Sequence, residues 1–204
     1  MNVYVETNFI LELAFEQEQQ IECELILNLC EMGKINLIIP AYSLAEPHEK
    51  LIRQANYRKE LQRSLDKELV QLRRTKSYSD RVGGIQNIAS LLVQSTEEEK
   101  ERFIKLRARF LNVAEIIPLT IEILREAASF ESPYDLDPQD ALVFASVISH
   151  LQKNSSVMSC FLNKNIKDFD TPDIEEALKK NNCKMLPKFD SGHDFIRSKL
   201  TQNA

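Results

Sequence analysis

Four carboxylates fall where apolar, strand-like runs give way to helix-like ones. Glu6 follows Asn2-Val3-Tyr4-Val5, and Glu46 comes after Ile35-Asn36-Leu37-Ile38-Ile39. Asp140 opens Ala141-Leu142-Val143-Phe144, and Asp168 follows Val157-Met158-Ser159-Cys160-Phe161-Leu162. In a parallel α/β sheet the carboxyl ends of the strands share one edge, and ligands bind there. Acids distant in sequence would converge at that edge as a pool of negative charge. Carboxylates a few ångströms apart repel, and some take up protons unless a cation lies among them. The set therefore predicts a divalent-cation site, with Mg²⁺ or Mn²⁺ suited to a few carboxylates and several waters. Such ions activate water and stabilise the transition state of phosphoryl transfer.

Each acid also has a structural role open to it. Ser43-Leu44-Ala45-Glu46 matches a capping box, in which Glu46 bonds the backbone of Ser43. Asp140 is the third residue of a helix opened by Asp137-Pro138, where the helix dipole favours an anion by about 0.3–1 kcal/mol. Glu6 precedes a helix start and Asp168 lies in a polar loop. The joint pattern, four acids at equivalent places, is what points to a site.

The elements that must position these acids alternate. A buried strand over 2–5 leads to a helix for which Thr7-Asn8 offers the cap, and a second helix spans about 20–32 with Gly33 as its stop. Strand 35–39 ends at Pro40, and a helix starts near Ser43. From about 48 to 112 the pattern is helical and densely charged, with Leu61, Leu65, Leu69 and Leu72 at three- and four-residue spacing. Ser77-Tyr78-Ser79-Asp80 breaks this stretch, and Thr96-Glu97-Glu98-Glu99 reads as a capping box opening a further helix. Alternation then resumes: a strand near 114–117, a helix capped by Thr120, the Asp137-Pro138 helix to Leu151, strand 157–162, the Thr171-Pro172 helix and strand 183–186. Residues 187–204 read as an appendage or frayed tail. The expectation is a mainly parallel sheet covered on both faces, over residues 1–186, with a helical arm inserted at about 48–112.

Composition removes several classes. The chain has 204 residues and four glycines, with no Gly-x-Gly-x-x-Gly and no phosphate-loop lysine motif. Cys23, Cys30, Cys160 and Cys183 lack Cys-x-x-Cys spacing and read as buried reduced thiols of a cytoplasmic protein, and no apolar run is long enough to span a membrane. The three histidines are isolated, which gives a zinc site little support. With a net charge of −5, a nucleic-acid substrate would need local basic patches. Two candidates are Arg73-Arg74-Thr75-Lys76 and the series Lys100, Arg102, Lys105, Arg107 and Arg109.

Val3-Tyr4-Val5-Glu6-Thr7-Asn8, Pro40-Ala41-Tyr42-Ser43-Leu44-Ala45-Glu46, Pro138-Gln139-Asp140-Ala141-Leu142 and Phe161-Leu162-Asn163-Lys164-Asn165-Ile166-Lys167-Asp168-Phe169 resemble, in order, the successive motifs of PIN-domain ribonucleases, the VapC-like toxins above all. The resemblance covers about 1–50 and 112–186. It implies a three-layer α/β/α domain that cuts RNA with Mg²⁺ or Mn²⁺. Glu6, Glu46, Asp140 and Asp168 would be the catalytic metal ligands. Thr7, Asn8, Asn163 and Asn165 would orient them or bind substrate, and Lys164 and Lys167 would meet backbone phosphates. An antitoxin partner is a further implication, and the long helices offer a surface for self-association. The first acid of the family is normally aspartate and Asn165 stands where aspartate is frequent. A PIN-like module that binds RNA or protein without cutting is therefore the alternative reading.

Overall fold

Asn2–Val5 (β1) is buried along its whole length, as a central strand of a two-sided sheet must be. The computed structural model describes residues 1–84, 86–165, 169 and 171–202. Among these, Asn36–Pro40 (β2), Glu115–Ile117 (β3), Ser159–Leu162 (β4) and Cys183–Leu186 (β5) join β1 in a parallel sheet of order β3-β2-β1-β4-β5. The chain builds outward from β1 to β3, then crosses back to β4 on the other side of β1. That reversal makes the β1–β4 boundary a switch point, and the crevice there opens at the strands' carboxyl ends.

Alternation along the strands divides the core in two. Val3, Val5, Leu37, Ile39, Cys160 and Leu162 face one side with Phe9, Ile26 and Phe110. Tyr4, Ile38 and Phe161 face the other with Phe144, Ile123 and Ile174. The first side is covered by Thr7–Phe15 (α1), Gln20–Glu31 (α2) and the hairpin of Ala41–Arg74 (α3) and Gln86–Val113 (α4). The second is covered by Ile121–Tyr134 (α5), Pro138–Lys153 (α6) and Pro172–Lys180 (α7). The three-layer α/β/α expectation holds, and all four cysteines are buried.

Local signals set most helix ends. Thr120, Asp137 and Thr171 cap α5, α6 and α7 through their side chains. After α2, Gly33 adopts φ +68° while its N–H reaches Cys30 O at 2.8 Å and the Lys34 N–H reaches Leu29 O at 3.0 Å. This pair of bonds is a Schellman stop, and only a residue tolerant of positive φ closes it without strain.

Four expectations are corrected. The cap of α1 is Glu6, whose carboxylate accepts the Asn8 N–H, and Thr7 is already helical. Helix α3 begins at Ala41 rather than near Ser43, and Glu46 bonds the Thr7 hydroxyl, so Ser43–Glu46 forms no capping box. Thr96 opens no helix either: α4 runs unbroken through it, its hydroxyl returning to Leu92 O at 3.0 Å. The supposed tail is a helix over Phe189–Gln202 (α8), with Phe189 and Ile196 in the first core.

Long-range pairs dock the arm. Arg58 of α3 grips Glu99 of α4 through two bonds of 2.7 and 3.0 Å, with both side chains largely buried. Arg102 donates to Ala14 O at 2.9 Å, and Arg109 clasps Glu24 at 2.7 Å and Glu31 at 2.9 Å. On the other face, His150 links the Tyr4 hydroxyl at 2.8 Å to Glu115 at 3.0 Å, which satisfies a buried phenol. Glu99→Gln should destabilise the protein by about 2 kcal/mol, because Arg58 loses its charged partner while largely buried. An unchanged urea midpoint would rule out a structural role for the pair.

Candidate active site

Each sheet end at the crevice delivers a polar side chain by a local rule. Strand β1 ends at Val5, and the next residue, Glu6, is buried at 6% exposure because it must cap α1 from the edge of the sheet. Its Oε2 accepts the Asn8 N–H at 2.8 Å, while Oε1 is buried with no hydrogen-bond partner among the described residues. Burial raises the Glu6 pKa from 4.5 to about 7; the Asn8 N–H and the Lys164 N–H oppose the shift, and Asp140 adds to it. Asp140 is therefore close enough to be felt by Glu6. Its own backbone is placed by the Asp137 cap, which accepts the Asp140 N–H at 3.1 Å.

Strand β4 ends at Leu162, and the next three residues bind the two acids together. The Asn163 side chain, 1% exposed, accepts the Asn165 N–H at 2.8 Å, and its amide nitrogen is buried without a partner among the described residues. Asn165 in turn donates to Asp140 Oδ2 at 3.1 Å. Lys164, expected at substrate phosphates, places its ammonium 2.6 Å from Glu12 Oε1. That bond raises the Lys164 pKa above its ordinary value.

Glu12 is the residue that sequence reasoning missed. It is 1% exposed on α1, and its second oxygen accepts the Gln19 N–H at 2.9 Å. A buried acid at that depth needs a cation or several donors. The signal in the sequence was its place among Ile10, Leu11, Leu13 and Ala14, on a stretch too apolar to leave a face for solvent.

Glu46 lies at the same end of the molecule, in the first turns of α3, where the Thr7 hydroxyl donates a short hydrogen bond to it. Tyr42 responds to both neighbourhoods: burial raises its pKa first, then Glu46, Glu49, Asp137 and Asp140. Among the described residues no three of His, Cys, Asp and Glu come close enough together to hold a metal ion. Asp168 and Lys167 lie outside the described residues. What the described geometry assembles is Glu6, Asp140 and their amide donors, with Glu46 held one residue away by Thr7. A cavity of about 660 Å³ opens elsewhere, beside β5 between α7 and α8, and no predicted site residue lines it.

The donors present fit a hard divalent cation. Glu6 offers a buried carboxylate oxygen with no hydrogen-bond partner among the described residues, and a second carboxylate, Asp140, lies near enough to repel its charge; hard oxygen donors of this kind suit a divalent cation.

A PIN domain family model matches residues 3–169. The chain belongs to the PIN-domain family. PIN domains are in general nucleases, hydrolases that use divalent metals. No curated protein matches the chain in sequence. Among solved structures it is similar, at a TM-score of 0.44 and 15% identity, to a chain in the crystal structure of VapBC2 from Rickettsia felis bound to a DNA fragment from their promoter. That match covers 91% of this chain and 98% of the other. No helix of this PIN-domain protein, among the described residues, is long and apolar enough to cross a membrane.

The buried acid has a pH signature. With its pKa raised from 4.5 to about 7, folded Glu6 holds a proton that the unfolded chain has already lost. In EDTA, stability should fall as pH rises through that window, by roughly 3 kcal/mol in total, and level off above it. Glu6→Gln should flatten this part of the profile; an identical slope in the variant would show that Glu6 is not the group titrating.

Proposed function

We propose that this PIN-domain protein is a metal-dependent endoribonuclease. The observation that carries the reading is the buried Glu6 carboxylate beside Asp140, one oxygen unpartnered, at the switch-point edge of the sheet. Glu6 and Asp140 would hold the ion directly or through water, with Glu46 and Asp168 completing the set. A bound Mg²⁺ or Mn²⁺ supplies Lewis-acid stabilisation of the phosphoryl charge and an activated water. The chain's own residues do the rest. Asn165 aims Asp140, Thr7 aims Glu46, and Lys164 holds the loop whose N–H faces Glu6. Water would attack the scissile phosphorus in line, giving its proton to a site carboxylate, while the bond from phosphorus to the leaving ribose oxygen breaks and that oxygen takes a proton from solvent.

A second reading, a PIN module that binds without cutting, draws on one finding: no three-acid group forms among the described residues. Calorimetric titration with Mn²⁺ separates the two. Binding that disappears in Glu46→Gln supports the enzyme, and no binding by the native chain supports the module.

Asp140→Asn removes a charge at constant volume and keeps an oxygen for Asn165. It should lower Mn²⁺-dependent cleavage of single-stranded RNA by about a hundredfold or more, with the thermal midpoint of folding retained. Undiminished cleavage in that variant overturns the assignment. The resemblance to VapC-like toxins also carries a protein antitoxin, so unneutralised expression should arrest growth for the native chain and not for Asp140→Asn.

A further inference from the structure

The charge of this chain is divided by its architecture. Residues 41–113, the hairpin, carry fifteen Lys and Arg against ten Asp and Glu, a net +5; the rest carries eleven against 21, a net −10. Within 50–81 the imbalance sharpens to ten basic against four acidic residues. The buried side of α3 is marked by Leu51, Leu69 and the Arg58–Glu99 clasp. Away from it, on the exposed sides of the helix, lie Arg53, Lys59, Arg63, Lys67 and Arg74. None of the five forms an ion pair among the described residues. Glu60 and Asp66 are the acids interleaved with them, and Glu49 precedes the stripe on the same side.

A face that served only solubility would pair opposite charges. Here Lys59, Arg63 and Lys67 follow one another at i,i+4, so like charges repel along the helix. Arg102 and Arg109, in the second candidate basic patch, are by contrast taken up in docking α4 onto α1 and α2. Lys100, Lys105 and Arg107 stay exposed on α4, but most of the basic residues outside ion pairs lie on α3 and at the hairpin end, where Arg73, Arg74 and Lys76 are exposed. The stripe from Arg53 to Arg74 is about 30 Å long at 1.5 Å per residue. It begins within two turns of Glu46, on the helix that carries that acid to the candidate site.

We propose that this outward face of α3 is a track for the sugar–phosphate backbone of single-stranded RNA, leading into the carboxylate crevice. The proposal rests on the nuclease reading for the identity of the polyanion. It answers an electrostatic difficulty in that reading: a domain of net −10 repels the phosphates it must cut. A basic rail beside the acidic crevice captures the strand by counterion release and leaves the acids free for the ion. Specificity for base sequence plays no part in such contacts.

The test is equilibrium binding of a fluorescein-labelled 24-nucleotide single-stranded RNA to the full chain in EDTA, where no cleavage occurs, across a salt series. The triple variant Lys59→Gln, Arg63→Gln, Lys67→Gln should bind ~10- to 100-fold more weakly at 0.1 M salt. Its slope of log K against log salt should be shallower by about 2, at roughly 0.7 for each phosphate no longer neutralised. Lys59→Arg with Lys67→Arg should retain native affinity, since the charge is kept. All three substitutions are outside the helix seam, and a matching circular dichroism melt verifies the fold. Equal affinity and slope in native and triple-variant protein overturns the track, as does failure of the native chain to bind the RNA. Charge-dependent binding to phosphatidylserine vesicles without RNA binding overturns it in favour of a membrane surface. A single-stranded DNA of the same sequence, bound with the same slope, supports a phosphate track. Native RNA binding that needs the stripe, with no cleavage under Mn²⁺, would retain the track and remove the nuclease reading.

Discussion

The structure turns on placing an ionisable carboxyl at the end of a fully buried central strand. Val3, Tyr4 and Val5 have no exposure, and the chain leaves them directly through Glu6 into α1. A carboxylate there has lost most of its water, so its charge must be met by donors or exchanged for a proton. The protein meets half of it: one oxygen caps a helix, and the other is buried with no hydrogen-bond partner among the described residues. An apolar residue would close that strand end at less desolvation cost, and a Ser or Thr would cap as well. Retaining an acid makes sense where a cation is to be bound.

Around that acid the chain directs its polar contacts to orientation. Asn163 folds the loop after β4 so that Asn165 reaches Asp140, and Lys164 ties the loop back to the buried Glu12 on α1. Strands β1 and β4 are adjacent in the sheet although more than 150 residues apart in sequence. Their loops can therefore brace each other only because the chain reverses direction at this boundary. The same topology that opens the crevice supplies the second layer that stiffens it.

How far the sequence carried depended on the range of each interaction. Thr120, Asp137-Pro138 and Thr171-Pro172 act within four residues, and each cap is where its motif puts it. The strands are short apolar runs whose burial follows from composition. The misreadings share a cause: a local motif overridden by a distant partner. Ser43 and Glu46 fit a capping box, but Thr7 from the neighbouring strand end takes the carboxylate. Thr96 and Glu99 fit another, but Arg58 across the hairpin claims both side chains, at 3.3 Å from Thr96 and 2.7 Å from Glu99. Helix α8 was hidden by its polar surface, since only one narrow side, with Phe189 and Ile196, enters the core. The Glu12–Lys164 bond joins residues no spacing rule could pair.

The hairpin shows how an insertion can be added to such a scaffold without disturbing the acidic edge. Phe103 and Phe110 of α4 enter the core that lines one side of the sheet, so the inner third of the arm is part of the domain's own packing. Arg102 and Arg109 then fasten α4 to the acidic α1 and α2, using the domain's surplus negative charge as an anchor. Farther out, apolar contact thins to residues such as Leu69 and Val82, and the Arg58–Glu99 pair holds the two helices in register. Apart from Arg58, the cations of α3 form no ion pair among the described residues. Both helices border α1, but the cations that reach across to α1 and α2 are Arg102 and Arg109 of α4.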